Sequence, residues 1–307
     1  MLISLEKIKE ALQYGLLSFP ITDMDENGKF NPKAYVDRLD WFVEHGISAV
    51  FVAGGTGEFN SLSAVEYKEL VEIAASTVNG RVPVFSGAGR TIAEAVEFEK
   101  VSEKAGIDGL LLFPPYLTVH PEEGTFKYAK AILQQTDLPV IFYNRSNSIL
   151  SSKSLGKLAD DCPNLIGLKD GTGNIQDLND IIKTVGDRLV YIGGVPTAEI
   201  ISEAYLSIGV NSYSSAAFNF VPELAMEFYK SLRAGDKQKI DMIMKAFYIP
   251  FVRLRNRQKG YAVSLIKAGA RIIGKDAGDV RPPLVMPNEK DYQELKLIIE
   301  QALEIMK

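Results

Sequence analysis

From Gly15 onward the chain alternates between two textures. Short apolar runs rich in β-branched and aromatic residues are followed by longer stretches whose apolar positions recur with helical spacing. Eight such runs occur: GLLSFPIT (15–22), AVFVAG (49–54), VPVFSGAG (82–89), GLLLFPP (109–115), LPVIFYN (138–144), LIGLKD (165–170), LVYIGG (189–194) and GVNSYSS (209–215). Helical text such as AVEYKELVEIAASTV and IAEAVEFEKVSEKAG separates them, the second ending on a glycine stop. Strand and helix in strict alternation predict a parallel sheet with crossover helices, and eight βα units closing on themselves predict an α/β fold of the TIM (β/α)8 type.

From Pro222 to Lys307 the strand signals stop. PELAMEFYKSLRAGD and EKDYQELKLIIEQALEIMK are the clearest helical pieces there. The expected organisation is a barrel with an N-terminal helix over 1–221 and a C-terminal helical extension over 222–307. No low-complexity segment, Gly/Ser linker or charge block divides the two, so the extension is expected to pack on the barrel.

Composition narrows the function classes. The 307 residues are 46% hydrophobic, enough for a sizeable core, and 34 basic residues against 39 acidic ones give a formal charge of −5. That balance gives no electrostatic reason to expect nucleic acid or an anionic membrane as partner. The basic run RLRNRQKGY, with Arg253, Arg255, Arg257 and Lys259, reads as a solvated helix face or loop. A single cysteine, Cys162, excludes an intrachain disulfide and a multi-cysteine metal site, and fits a reducing cytoplasm. MLISLEKIKEALQYG reads as an amphipathic helix rather than a signal peptide, and no apolar stretch is long enough to span a bilayer. A soluble, cytoplasmic protein is expected.

Three near-matches to familiar motifs fail on inspection. DMDENGKFNPKA places Asp23 and Asp25 like a calcium loop but has Ala34 where the bidentate glutamate belongs. GAGRTI has Ile92 in place of the third glycine of a dinucleotide fingerprint, and GGTGEF lacks the Lys-Ser/Thr of a phosphate loop. With only His45 and His120, a multi-histidine metal site is improbable, and no metal or organic cofactor is expected.

Barrel chemistry sits at the C-terminal ends of the strands, so residues there become candidates. Lys169 stands near the end of the sixth run, just before Asp170. It is either a surface lysine or an amine held in a pocket, and a free amine of pKa about 10.4 is neutral on the order of one time in a few thousand at pH 7. Burial at a strand end would lower that pKa and make Lys169 a Schiff-base nucleophile. Tyr143 stands near the end of the neighbouring run, and with strands about 4.8 Å apart its phenol can reach the amine as a proton carrier. Arg145, two residues on, shares that face if the strand continues, and a guanidinium there suits a carboxylate. GGTGE offers the backbone of Gly55 and the hydroxyl of Thr56 as a carboxylate cradle, or simply a turn that needs glycine. Arg145, Ser214 and Ser215 are candidates for a distal carboxylate and hydroxyls.

GGTGE, YN and GLKDGTG, in that order at the ends of the second, fifth and sixth strands, resemble the dihydrodipicolinate synthase and N-acetylneuraminate lyase family over essentially the whole chain. The resemblance implies that Lys169 forms a Schiff base with a keto acid, that Tyr143 shuttles protons, and that Gly55 and Thr56 bind the keto-acid carboxylate. It also implies that Tyr116, in FPPYLT, is lent across a subunit interface, so that a homodimer or homotetramer is expected. Gly55 stands where the synthases and lyases carry a Thr or Ser hydroxyl of the proton relay. Asn147 and Ser148 stand where synthases place an arginine. GLLSFPITD, YIGGVPTAE and YSSAAFNF look most like the branch of the family that dehydrates and decarboxylates a six-carbon keto-sugar diacid. The alternatives are a pyruvate-dependent aldolase or condensing enzyme of the same family, and a sugar-acid-binding protein without turnover.

Overall fold

The computed structural model describes residues 3–306. Its strands are β1 (Leu17–Ser18), β2 (Ala49–Val52), β3 (Val84–Ala88), β4 (Gly109–Leu112), β5 (Val140–Asn144), β6 (Leu165–Asp170), β7 (Val190–Gly193) and β8 (Ser212–Tyr213). They pair in sequence order and always in parallel. The bridge between Leu17 and Ser214, with Ser215 N–H donating to Leu17 O at 2.8 Å, brings β8 back to β1 and closes the sheet into the expected barrel.

The first and last strands are much shorter than their apolar runs. Beyond Ser18 the chain reaches Pro20, which has no N–H for a ladder. The Asn219 side chain pairs with the backbone there instead, accepting from Ile21 N at 2.9 Å and donating to Phe19 O at 3.0 Å. Residues 19–22 are thereby held extended at the barrel mouth without belonging to a strand.

Helices wrap the sheet because their sequences carry both a stripe and a stop. Ala64–Val78 buries Tyr67, Leu70, Val71, Ala74 and Val78, the spacing of one helical face, and begins with a reciprocal Ser63–Glu66 capping box. Ile92–Ala105 begins with the same device, Thr91–Glu94, and ends on Gly106 at φ +85°, a left-handed conformation glycine adopts without penalty. The N-terminal segment forms the helix Leu5–Tyr14. Its text begins at Met1 and Leu2, which lie outside the described residues.

After β8 come the helices Pro222–Ala234, Lys237–Ile243, Ile249–Arg255, Tyr261–Ile272 and Glu289–Glu304, with a π-helical turn over Met244–Tyr248. These are tied to the barrel by buried charge. Lys267 Nζ lies 2.9 Å from Glu58 Oε1 with both side chains fully buried, and Arg281 N–H donates to the other oxygen of Glu58 at 2.8 Å. Arg281 also pairs with Glu66, and Arg38, bidentate on Asp23, donates to Lys275 O. Among the described residues no helix is long and apolar enough to cross a membrane.

Candidate active site

The register of β5 on β6 sets Tyr143 directly beside Lys169. Lys169 is 5% exposed, its Nζ donates to Gly194 O at 3.0 Å and lies 3.8 Å from the Tyr143 ring centroid and 5.2 Å from that of Phe19. Burial among these rings lowers the amine's pKa, outweighing the opposing pull of Tyr143. The next residue points the other way, as strand alternation requires. Asp170 accepts from Thr172 N and Oγ1, from Gly173 N and from Tyr205 Oη, which pins the loop that follows the lysine. The acid of the KDGTG motif is thus saturated by structural bonds.

Tyr143 Oη donates to the same Gly194 carbonyl at 3.0 Å and accepts from Arg145 Nη1 at 2.7 Å. Burial alone would raise the phenol's pKa, but the charges of Lys169 and Arg145 outweigh it and leave the group below its ordinary value. Gly194 is fixed as glycine by this packing. A Cβ there would stand 2.5 Å from both Cγ and Nζ of Lys169 and 2.8 Å from Asp170 O.

Gly55 and Thr56 face the pair from the loop after β2. That loop is fastened behind: Thr22 Oγ1 donates to Gly57 O, Glu58 N to Gly55 O and Phe59 N to Gly54 O. Glu58 sits at φ +58°, a conformation that costs a non-glycine residue roughly 1–2 kcal/mol and is held here by the buried bonds to Lys267 and Arg281. Gly55 is different, because a Cβ added to it meets nothing within 4 Å. Its lack of a side chain leaves open space in the cavity and answers no steric demand of the fold.

The cavity over Lys169 holds about 450 Å³. Tyr116, Ser146 and Ser214 stand in its wall, and Phe251, Val263 and Ile266 from the C-terminal helices cover it. Among the described residues its lining includes Lys169, Arg145 and Arg255 but no acidic side chain. Tyr116 is 38% exposed, beside the almost fully exposed Leu117 and Val119. Asn147 donates to the carbonyls of Pro115 and Thr118 and so secures the Tyr116 loop from outside the cavity.

Two expectations need correction. Ser215 does not line the cavity, because it follows Ser214 on an extended chain and turns to the other side, where its buried Oγ donates to Glu199 Oε1 at 2.5 Å. Glu199 is itself buried, which pushes its carboxyl up to about 7. The basic run is also not uniformly solvated. Arg257 pairs with Asp291 and Glu294 on the surface, but Arg255 reaches the cavity wall from the end of Ile249–Arg255. The signal was its place four residues after Phe251, on the same helical face.

The chain can now be set against known proteins. The model of the dihydrodipicolinate synthetase family matches residues 13–302. A protein named 5-dehydro-4-deoxyglucarate dehydratase from Pseudomonas putida is 45% identical over 93% of this chain and 95% of its own length. Two named "Probable 5-dehydro-4-deoxyglucarate dehydratase", from Rhizobium rhizogenes and Acinetobacter baumannii, are 49% and 47% identical, over 96% and 95% of this chain and 98% and 97% of theirs. The crystal structure of dihydrodipicolinate synthase from Oceanobacillus iheyensis superposes with a TM-score of 0.89, covering 97% of this chain and 99% of that one at 24% identity, which speaks to the fold.

Proposed function

The chain belongs to the dihydrodipicolinate synthetase family, and on that premise we propose that it converts 5-dehydro-4-deoxyglucarate to 2,5-dioxopentanoate, water and CO2 through a Schiff base on Lys169. The observation that carries this reading is a buried amine touching a phenol in a cavity whose charged side chains, among the described residues, are all basic. A carbonyl compound bearing two carboxylates is the chemistry such a cavity accepts.

Lys169 adds to the C5 ketone and loses water to form an iminium, whose positive nitrogen acidifies C4. Tyr143, held below its ordinary pKa, takes the C4 proton and returns one to the departing C3 hydroxyl, leaving a conjugated C3=C4–C5=N⁺ system. The C1–C2 bond then breaks, its electrons moving through that system to nitrogen, and C1 leaves as CO2. Protonation at C3 with loss of the enol O–H proton gives the aldehyde, protonation at C4 restores the iminium, hydrolysis frees the product and the amine, and one proton is consumed overall. The iminium serves as the electron sink throughout.

In this reading Gly55 and Thr56 hold the carboxylate next to the ketone, and Arg145 keeps Tyr143 acidic and oriented. The open space at Gly55 supports a bulky diacid over an aldol reaction relayed by a hydroxyl at that position. The same reading includes a homodimer or larger assembly, supported by the exposed Leu117 and Val119, whereas Tyr116, expected to be lent to a neighbour, stands in the cavity wall of its own chain.

Borohydride reduction of the protein with 5-dehydro-4-deoxyglucarate, followed by peptide mapping, tests the proposal, with CO2 release measured in parallel without borohydride. The expected result is an adduct on Lys169 together with CO2. An adduct with pyruvate and no CO2 from the diacid would move the enzyme to the aldolase branch.

A further inference from the structure

The cavity holds two guanidiniums in different circumstances. Arg145 follows β5 and Arg255 is bonded to the segment following β7, so they flank Lys169 of β6 on either side. Arg145 is committed to the phenol of Tyr143, which places it at the reacting end. Arg255 touches neither Tyr143 nor Lys169.

Its surroundings are unusual for a charged group that is half withdrawn from water. Nη1 donates to Pro196 O and to Thr197 Oγ1, both at 2.6 Å, while Nε and Nη2 together grip Asn256 Oδ1 at 3.2 and 3.0 Å. Every acceptor is neutral, and Arg255 makes no salt bridge among the described residues, unlike Arg257 two positions later. A planar fork matched to a carboxylate is here filled by the single oxygen of an adjacent, exposed asparagine. Thr197 is a β-branched residue at φ +55°, a conformation sustained only when the surroundings impose it. That strain turns its hydroxyl toward Arg255 and seats one edge of the guanidinium, leaving the Nε–Nη2 edge with a replaceable partner.

We propose that Arg255 is the specificity-determining residue for the second carboxylate of the substrate, the one lost as CO2, which displaces Asn256 from the guanidinium fork. This rests on the function proposed above and deepens it. The arrangement suits a carboxylate that must leave. A guanidinium bound only to substrate would favour the charged ground state over neutral CO2 and so oppose decarboxylation. Here Pro196 and Thr197 keep one edge satisfied throughout, and Asn256 closes on the other as the charge disappears. Arg255 therefore governs which acids enter, and the iminium governs the rate.

The test compares wild type, Arg255→Ala and Arg255→Lys on two ligands: 5-dehydro-4-deoxyglucarate, which has both carboxylates, and pyruvate, which has only the one beside the ketone. Half-saturation is read by borohydride trapping on Lys169 for both, and kcat by CO2 release for the diacid. Loss of a charge-assisted bond predicts that Arg255→Ala raises the diacid half-saturation and KM roughly tenfold to a hundredfold, with kcat within about threefold and pyruvate trapping nearly unmoved. Arg255→Lys, which keeps the charge and loses the fork, falls between. An unchanged KM for the diacid overturns the inference, and so does an equal weakening for pyruvate, which would mean general damage to the pocket. Wild type that traps pyruvate but releases no CO2 from the diacid refutes the proposed reaction separately, and the trapping ratio of the two ligands still decides whether Arg255 reads the second carboxylate.

Discussion

Substituting Gly194 by alanine isolates the geometry of the amine. The added Cβ would stand 2.5 Å from Nζ and Cγ of Lys169 and 2.8 Å from the carbonyl oxygen of Asp170. Ordinary heavy-atom contact begins near 3.5 Å, so the lysine must retreat by about 1 Å or the β7 loop must move by as much. Either movement also spoils the carbonyl that receives both Lys169 and Tyr143 at 3.0 Å. Overpacking of this kind costs about 1–3 kcal/mol of stability, which a folded barrel can survive. A misplacement of about 1 Å at the reacting atom costs on the order of a hundredfold in rate. The assay is CO2 release under saturating diacid, with borohydride trapping on Lys169 and near-ultraviolet circular dichroism to establish that the fold persists. Gly55→Ala is the control for fold and for pyruvate trapping, because its methyl meets nothing within 4 Å, and its diacid turnover is not compared because that methyl enters the space proposed for the substrate. If Gly194→Ala kept its fold and more than a third of wild-type turnover, the claim that this glycine fixes the amine would be wrong.

The control is itself a prediction: Gly55→Ala should melt within about 0.5 kcal/mol of wild type, as surface substitutions without special contacts do, and still trap pyruvate. Lys267→Met leaves the Glu58 carboxylate buried opposite a thioether and should cost about 3–5 kcal/mol in urea unfolding, much of it recovered in Glu58→Gln/Lys267→Met. A loss below about 1 kcal/mol would show that Arg281 N–H alone sustains the charge. Glu199, pushed up to about 7 by burial, holds its proton more tightly folded than unfolded, where its value is near 4.5. Its stabilising contribution is therefore complete below about pH 4.5 and fades as pH rises through 7. Thermal melts of Glu199→Gln should accordingly fall less between pH 5 and 8 than those of wild type, and parallel curves would contradict this.

Much of the barrel was legible because each strand and its following helix are local in sequence. The apolar runs at 138–144 and 165–170 placed Tyr143 and Lys169 at neighbouring strand ends, and parallel register did the rest. What escaped sequence reasoning depends on long-range closure. Arg255 reaches the cavity because a helix begun at Ile249 is laid over the segment following β7, and nothing within RLRNRQKGY separates it from Arg257, which meets surface acids. Ser214 and Ser215 look equivalent in the text, yet alternation sends one toward the cavity and the other toward Glu199. Gly194 was marked only as the end of an apolar run, since its part is played by a carbonyl, which every residue has.

The covering of the cavity by Phe251, Val263 and Ile266, and the burial of Glu58 by Lys267, have a consequence for the order of events during synthesis. Domains assemble from the N-terminus as the chain emerges, at about 5–20 residues per second. All eight strands, with the amine and the phenol, leave the ribosome before residue 249. For several seconds the nascent protein has the amine and the rings beside it but neither the apolar cover of the cavity nor the counter-ion for Glu58. The cavity is thus complete only when the last helices arrive.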